Sequence, residues 1–357
     1  MKKIMIVTGS LGAGGIEKVT SRIANYYLDK NYEVVICCLL GGKDKVFIPL
    51  DSKIKVVFFE SQAKCKSKLL LAFKWVPFLK KLFSSERPDF VLAMTLKIGA
   101  LCSLAKGKKK IRITFRETSD PKSKVRNRYL DKILSFLCKR IDGVIFQTEW
   151  EKSCYPKYIQ KKGCVIPNPV SVDTYWQDNS ESKKIVTMGR LTNLQKRHDI
   201  LIEAFSIFLK NNPNYTLTIY GGGEDKEKDE ELIAKLKLKN SIFLAGPRKN
   251  VHSQIADATM FILTSDYEGL SNALAEALLM GIPCISSDWP GCAEIISHGE
   301  NGFLYKRQDK VELAKLMGEI ANNKDLRNTF SLNSKKLKER FDPGATLSRY
   351  AEVIEGQ

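Results

Sequence analysis

The chain is poor in the signatures that announce a chemistry at first sight. Its nine cysteines show no metal-ligand spacing: Cys37 and Cys38 are adjacent and the others are scattered through apolar runs. That argues against a zinc site and points to reduced thiols in a cytoplasmic protein. No apolar segment is long enough to span a bilayer. The start, Met1-Lys2-Lys3-Ile4-Met5-Ile6-Val7, mimics a signal peptide only until Gly9 and Gly12 interrupt it. There is no Gly-x-Gly-x-x-Gly: Gly9, Gly12, Gly14 and Gly15 fit that spacing poorly, and no acidic residue clearly ends the next strand. Both absences argue against a nicotinamide dehydrogenase. There is no Asp-x-Asp metal motif, no short-period repeat and no low-complexity segment.

What is present is charge, unevenly spread. The formal net charge is +18. Residues 1–170 hold 34 Lys and Arg against 14 Asp and Glu, or +20, and the remainder 24 against 26, or −2. A basic first half implies an anionic surface or a large anionic substrate. It lacks a recognition motif with interleaved aromatics, which argues against a nucleic-acid binder. Apolar runs at 3–7, 33–39, 55–59, 89–94, 111–115 and 143–146 alternate with helical patterns, including a basic one near 67–83. The pattern breaks at Pro167 and Pro169. It restarts with runs at 184–189, 215–220, 242–244, 260–263 and 284–286, followed by helical patterns near 291–297, 311–321, 325–340 and 345–354. Continuous apolar strands alternating with helices predict two doubly wound α/β domains, with a cleft between the C-terminal ends of their strands.

The chain is organised around 260–286. An apolar strand leads into Thr264-Ser265-Asp266-Tyr267-Glu268-Gly269-Leu270-Ser271, then a helix with Ser271 or Gly269 as N-cap and Gly281 as stop, then a second strand. Helix N-termini hold anions, and Glu268 and Glu276 flank this one. They read either as surface charges or as acceptors for hydroxyls of a ligand whose phosphates sit at the helix end. Gly189-Arg190-Leu191, followed by Gln195-Lys196-Arg197-His198-Asp199, puts cations at another strand end, where Arg offers a fork and Lys a point charge to phosphate. With the glycine-rich turn Gly12-Ala13-Gly14-Gly15, these features suit a nucleoside-diphosphate compound.

The chain resembles the family 4 glycosyltransferases, the retaining group 1 transferases of GT-B fold. The resemblance rests on Gly14-Gly15-Ile16-Glu17, Ile166-Pro167-Asn168-Pro169, Gly189-Arg190-Leu191 with Lys196, Gly221-Gly222-Gly223-Glu224, Glu268 and Glu276 with seven residues between them, Gly281-Ile282-Pro283, and Gly291 with Glu294-Ile295-Ile296 and Asn301-Gly302-Phe303. It implies that Arg190 and Lys196 hold and stabilise the leaving diphosphate and that Glu276 takes the ribose hydroxyls. Glu268 would contact the donor sugar, with Gly269, Leu270, Ser271 and Asn272 offering backbone N–H groups. Gly14 and Gly15 would face the β-phosphate, and the base would lie near Gly246-Pro247-Arg248. No metal or other cofactor would be needed. Many members carry a His in the first domain, but the three here, His198, His252 and His298, all lie in the second half. Arg116-Glu117-Thr118-Ser119-Asp120-Pro121 is similar to a Ser-Glu-Arg-Asn-x-Pro turn of members that build bacterial surface polysaccharides. It implies an acceptor- or sugar-side loop, with Glu17 on the same side.

The resulting expectation is a cytoplasmic enzyme, peripheral on the inner face of the cell membrane. It moves a hexose or N-acetylhexosamine from a nucleotide donor, a UDP-sugar, to a lipid-linked saccharide of undecaprenyl diphosphate or lipid A core type, in building O-antigen, capsule or lipopolysaccharide. Residues 1–168 would form the acceptor and membrane side, 169–341 the donor side, and 342–357 a helix packing back on the first domain. Two basic amphipathic stretches, 64–81 and 122–140, would meet an anionic bilayer. A GT-B nucleotide-sugar epimerase and a basic nucleic-acid-binding protein are the alternatives.

Overall fold

Every strand expected from an apolar run forms, and all of them are parallel. The computed structural model describes residues 1–12, 14–40, 42, 46, 48–59, 68–123, 126–179 and 181–357, of which 68–73 are described for backbone only. Ala13, Lys64, Cys65, Lys66, Ser67, Lys124 and Val125, all cited above, lie outside the described residues. The chain divides into two units, Met1–Pro169 with Pro343–Gln357, and Val170–Asp342.

In the first unit the order is β1 (Lys3–Thr8), α1 (Gly15–Asp29), β2 (Glu33–Cys38), β3 (Lys55–Phe58), α2 (Lys68–Glu86), β4 (Phe90–Ala93), α3 (Leu96–Lys106) and β5 (Arg112–Arg116). Then come α4 (Arg128–Leu137), β6 (Gly143–Phe146), α5 (Glu149–Ser153), α6 (Lys157–Gln160) and β7 (Gly163–Val165). The seven strands lie in the order β3-β2-β1-β4-β5-β6-β7. Alternation along each strand sends side chains to both faces: Met5 and Val7 pack with residues of α2 and α3, whereas Ile4 and Ile6 pack with residues of α1 and of the last helix.

The second unit runs β8 (Lys184–Met188), α7 (His198–Phe208), β9 (Thr216–Tyr220), α8 (Lys226–Lys235), β10 (Ile242–Gly246), α9 (Val251–Ile255) and β11 (Met260–Leu263). It continues through α10 (Asn272–Met280), β12 (Cys284–Ser287), β13 (Phe303–Tyr305), α11 (Lys310–Ala321), α12 (Lys324–Ser334) and α13 (Lys338–Phe341). Its strand order is β10-β9-β8-β11-β12-β13. The last helix, α14 (Pro343–Glu355), returns to the first unit. There Leu347, Tyr350 and Ile354 are buried, and Arg112 Nε donates to the Ile354 carbonyl at 2.9 Å.

Three expectations are corrected. The helix expected near 291–297 is only a 3-10 turn, Cys292–Glu294. The helix expected over 325–340 is broken into α12, the turn Lys335–Leu337 and α13; at the break Ser334 Oγ donates to the Asn301 carbonyl at 3.1 Å. The segment opening at Arg116 is not an open loop at its start, because Arg116 ends β5 and both it and Glu117 are buried. Arg116 Nε donates to Tyr350 Oη at 2.9 Å, and its Nη2 donates to Asn168. Glu117 takes Arg126 at 2.9 Å, the Tyr155 hydroxyl, and the Thr118 N–H at 2.8 Å. Buried charge is stable only when partnered, and these partners draw both side chains inward. Thr118 is half-buried. Among the described residues, no helix is long and apolar enough to cross a membrane.

Candidate functional site

In a doubly wound sheet the loops at the carboxyl ends of the strands, where the strand order reverses, form the ligand crevice. In the second unit β8 pairs with both β9 and β11, so the reversal lies between β8 and β11. Their loops carry Arg190 and Lys196 on one side and Glu268 on the other.

The loop after β8 is fixed from below by glycines. The Leu191 N–H donates to the Gly222 carbonyl at 3.1 Å, and the Gly189 N–H to the Tyr220 carbonyl at 2.9 Å. A Cβ on Gly221, whose φ is +143°, would fall on the Gly189 carbonyl oxygen, and one on Gly223 on the Leu191 carbonyl oxygen. The triplet is thus explained by backbone meeting backbone. From the side, the Asn193 N–H donates to Asp225 Oδ2 at 2.7 Å and its amide to Asp229 Oδ1 at 2.7 Å. Burial raises the Asp229 carboxyl to about 6.

The two loops are then stitched together. Thr264 Oγ1 donates to the Lys196 carbonyl at 2.7 Å, and the Asp266 N–H to the Gln195 carbonyl at 2.8 Å. Gln195 Nε2 donates to the Tyr267 carbonyl at 3.2 Å. The result brings Lys196 Nζ onto Glu268 Oε1 as an ion pair, and Ser265 Oγ donates to the same oxygen at 2.7 Å. Both side chains of the pair are largely buried. Arg190 is exposed, and among the described residues its guanidinium makes no hydrogen bond or ion pair. Next along the chain, Arg197 adopts a left-handed conformation, φ 52°, held by Asp199 at 2.9 Å and Asp266 at 3.2 Å. His198 is buried, which lowers its pKa to about 4 and keeps it neutral.

α10 begins as the sequence predicts. Ser271 Oγ accepts from the Leu274 N–H at 3.4 Å, and Gly281 closes the helix with φ +89°. No acidic residue occupies the first turn, so the positive end of the helix dipole carries no charge of its own. Gly269, Leu270 and Ser271 are buried, with Leu270 in the core, and Asn272 is half-buried. Glu276 is buried one turn in, and His252 Nε2 lies 3.4 Å from its Oε2. His252 Nδ1 lies 2.9 Å from Asp173 Oδ1. The sequence reading missed this relay. Its signal was absent from the local pattern, since Asp173 and His252 are 79 residues apart. Arg248 is exposed, just past the Gly246 that ends β10.

The first unit carries the remaining candidates. Gly14 is the N-cap of α1. The Glu17 carboxylate folds back onto it, where a Cβ would collide with Glu17 Oε2, and Ser10 Oγ donates to Glu17 Oε1 at 2.9 Å. Gly15 is the first residue of the helix. Arg116 and Glu117 are taken up by the buried network described above. Among the described residues no group of three or more His, Cys, Asp or Glu is gathered as a metal site.

Two family models match the chain. Residues 13–174 match the family described as Glycosyltransferase Family 4, and residues 175–337 match Glycosyl transferases group 1. The amylovoran biosynthesis glycosyltransferase AmsD of Erwinia amylovora is 22% identical over 365 residues, covering 99% of each chain. The N-acetylgalactosamine-N,N'-diacetylbacillosaminyl-diphospho-undecaprenol 4-alpha-N-acetylgalactosaminyltransferase of Campylobacter jejuni is 24% identical over 370 residues, covering 96% of each. The crystal structure of HepE from Anabaena, solved with UDP and glucose, superposes with a TM-score of 0.82 at 20% identity, covering 100% of both chains. The chain belongs to the group 1, family 4 glycosyltransferases and has their GT-B fold.

Proposed function

We propose that the chain is a retaining, metal-independent hexosyl- or N-acetylhexosaminyltransferase that uses a UDP-sugar and builds a lipid-linked precursor of a bacterial surface polysaccharide. The observation that carries this reading is the Lys196–Glu268 pair, buried where the strand order reverses and beside a helix N-terminus that has no acid in its first turn. A cation fixed there in advance stabilises charge as it develops on a departing diphosphate, without reorganising during the reaction. Arg190, exposed on the same loop, adds a forked donor. Glu268 accepts from the sugar hydroxyls and Glu276 from the ribose. Arg248 lies on the side of the base.

In the proposed step the bond from the sugar C1 to the β-phosphate oxygen breaks and a bond from C1 to the acceptor oxygen forms on the same face. The acceptor's hydroxyl proton passes to the departing phosphate oxygen, leaving UDP and the glycoside. The names of the relatives support the acceptor class: one acts in amylovoran biosynthesis, another on a diphospho-undecaprenol-linked saccharide. HepE was solved with UDP.

The enzyme works at the cytoplasmic face of the membrane, docked through the first unit, and the docking face is α4. Of the two basic stretches, the described part of α2 turns Trp75, Val76 and Phe78 onto the core. In α4, Leu134 and Leu137 pack inward, but Tyr129, Ile133 and Phe136 form an outward stripe at helical spacing, exposed by 82%, 58% and 60%. Leu130 and, on α3, Leu104 are exposed as well. Arg128, Lys132, Lys139 and Arg140 are exposed on or just after α4, with Lys139 Nζ 4.2 Å from the Phe136 ring centre. An apolar stripe rimmed by cations suits an anionic bilayer.

The test is incubation of the purified protein with a panel of nucleotide sugars, with and without a polyprenyl-diphosphate-linked saccharide. Acceptor-dependent release of nucleoside diphosphate is expected. An epimer formed without acceptor, or no turnover with any pairing, would overturn the reading.

A further inference from the structure

Glu276 is held from the side by a group outside the family motifs quoted above. His252, in α9, lies between two carboxylates contributed by two other parts of the second unit: Asp173 from the segment before β8, and Glu276 from α10. Carboxylates accept only. An imidazole donates to both at once only when both of its nitrogens carry protons. The Asp173 side chain is 79% exposed and that of Glu276 7%, so the imidazole links an open anion to a buried one.

We infer that His252 is a positioning residue: as an imidazolium bridging Asp173 and Glu276, it fixes the Glu276 carboxylate in the orientation that receives the ribose hydroxyls of a nucleoside diphosphate. This rests on the assignment of Glu276 to the ribose. The hydrogen bond to Glu276 raises the His252 pKa, ahead of the opposing effect of burial, and Asp173 adds to the rise. Among the described residues, the charged groups acting on the ring are these two carboxylates. At the far end of α9, Lys184 of β8 is occupied with the Gln254 carbonyl and with Asp257. Because the shift is upward, the bridge is complete below about 6.5, the ordinary histidine value. It is lost as pH rises through the higher value in the folded protein.

Two measurements on the full chain test this. First, the imidazole protons of the three histidines are titrated by NMR. The resonance missing from His252→Ala should titrate above 6.5 and fall back in Asp173→Asn. Second, UDP and 2′-deoxy-UDP are titrated calorimetrically at pH 7 and pH 9, where the terminal phosphate, with a second pKa near 6, is already ionised. Wild-type affinity for UDP should fall between the two, by up to about tenfold, the order expected for one charge-assisted hydrogen bond, and that for 2′-deoxy-UDP distinctly less. His252→Ala should lose about tenfold at pH 7. His252→Gln, which keeps one non-titrating N–H, should lose less and be flat with pH. A His252 that titrates at or below 6.5 overturns the inference, as does an equal loss for both nucleotides in His252→Ala, which marks a merely structural role. If wild-type protein binds UDP and neither substitution alters it, the inference alone fails. If it binds no UDP while His252 titrates as expected, the ribose assignment fails and the inference falls with it.

Discussion

The two sheets share one strand order, β3-β2-β1-β4-β5-β6 matching β10-β9-β8-β11-β12-β13, yet the loops at their reversals are built in opposite ways. In the second unit the loop after β8 rests on backbone at Gly221 and Gly223, is tied to the loop after β11, and buries a cation on a carboxylate. In the first unit a Cβ on Gly9 or Gly12 would meet nothing within 4 Å, and the helix N-terminus is faced by the protein's own Glu17. A shared topology sets where a crevice opens. What it holds depends on which loop is locked and with what charge.

The sharpest way to break this comparison is turnover. Lys196→Ala should slow transfer by about two to three orders of magnitude, the cost of losing one preorganised charge-stabilising donor, and Arg190→Ala should do the same. Glu17→Ala should stay within about tenfold, the range for one hydrogen bond, because this side chain covers only its own helix end. Similar losses for Lys196 and Glu17 variants would erase the distinction between the loops.

Within the second unit, Glu276→Ala should weaken UDP binding by about tenfold or more, the range for a hydrogen bond to a charged group. Glu268→Ala should lower transfer and leave UDP affinity within a few-fold. Equal losses in a UDP titration would contradict the division of roles.

Glycine substitutions compare the loops by stability. Gly221→Ala combines positive-φ strain with a backbone clash, each about 1–3 kcal/mol. For a unit of this size that is a drop in Tm of roughly 4–24 °C. Gly12→Ala should be silent. An unchanged melting curve for Gly221→Ala would remove the glycine argument.

The pH response of the second unit sets two buried groups against each other. His198, lowered to about 4, costs stability as pH falls from about 6.5 to 4, because the unfolded chain then binds the extra proton. Asp229, raised to about 6, acts oppositely: the folded state binds the extra proton between about 3.8 and 6, so stability grows on acidification. Asp229→Asn removes the second effect. It should lose about 2 kcal/mol more than wild type between pH 6.5 and 4, read by denaturant titration at each pH. A parallel pair of curves would deny the opposition.

The smallest effect is at the surface of the first unit. Changing Tyr129, Ile133 and Phe136 together to Ser should reduce co-sedimentation with anionic liposomes several-fold, with Tm unchanged. Changing Lys80 and Lys81 of α2 should matter less. Binding should fade with salt, and wild-type binding that is equal on neutral vesicles would refute docking by charge.

The strands were legible because buried parallel strands are continuous apolar runs, and the 260–286 unit because Ser271 and Gly281 mark both ends of its helix. β7 and β13 went unrecognised: at three residues each they are too short to show a period. The Lys196–Glu268 neighbourhood was suggested by strand ends, but its geometry comes from ties such as Thr264 to the Lys196 carbonyl, 68 residues apart. The burial of Arg116 was not legible because its partners, Tyr350 and Asn168, lie 234 and 52 residues away. Local pattern shows which residue is charged, and only the assembled fold shows what meets it.

The return of α14 to the first unit has a consequence for synthesis on the ribosome. Residues 170–342 are uninterrupted and hold two apolar clusters of their own, so this insertion can close while translation continues. The first unit, although made first, has α1 over one part of this sheet face and leaves the rest open until Leu347, Tyr350 and Ile354 emerge. The usual N-to-C order of domain maturation is thereby reversed. A stop codon at Pro343 would spare the insertion and leave apolar surface of the earlier-made half exposed to chaperones and proteases.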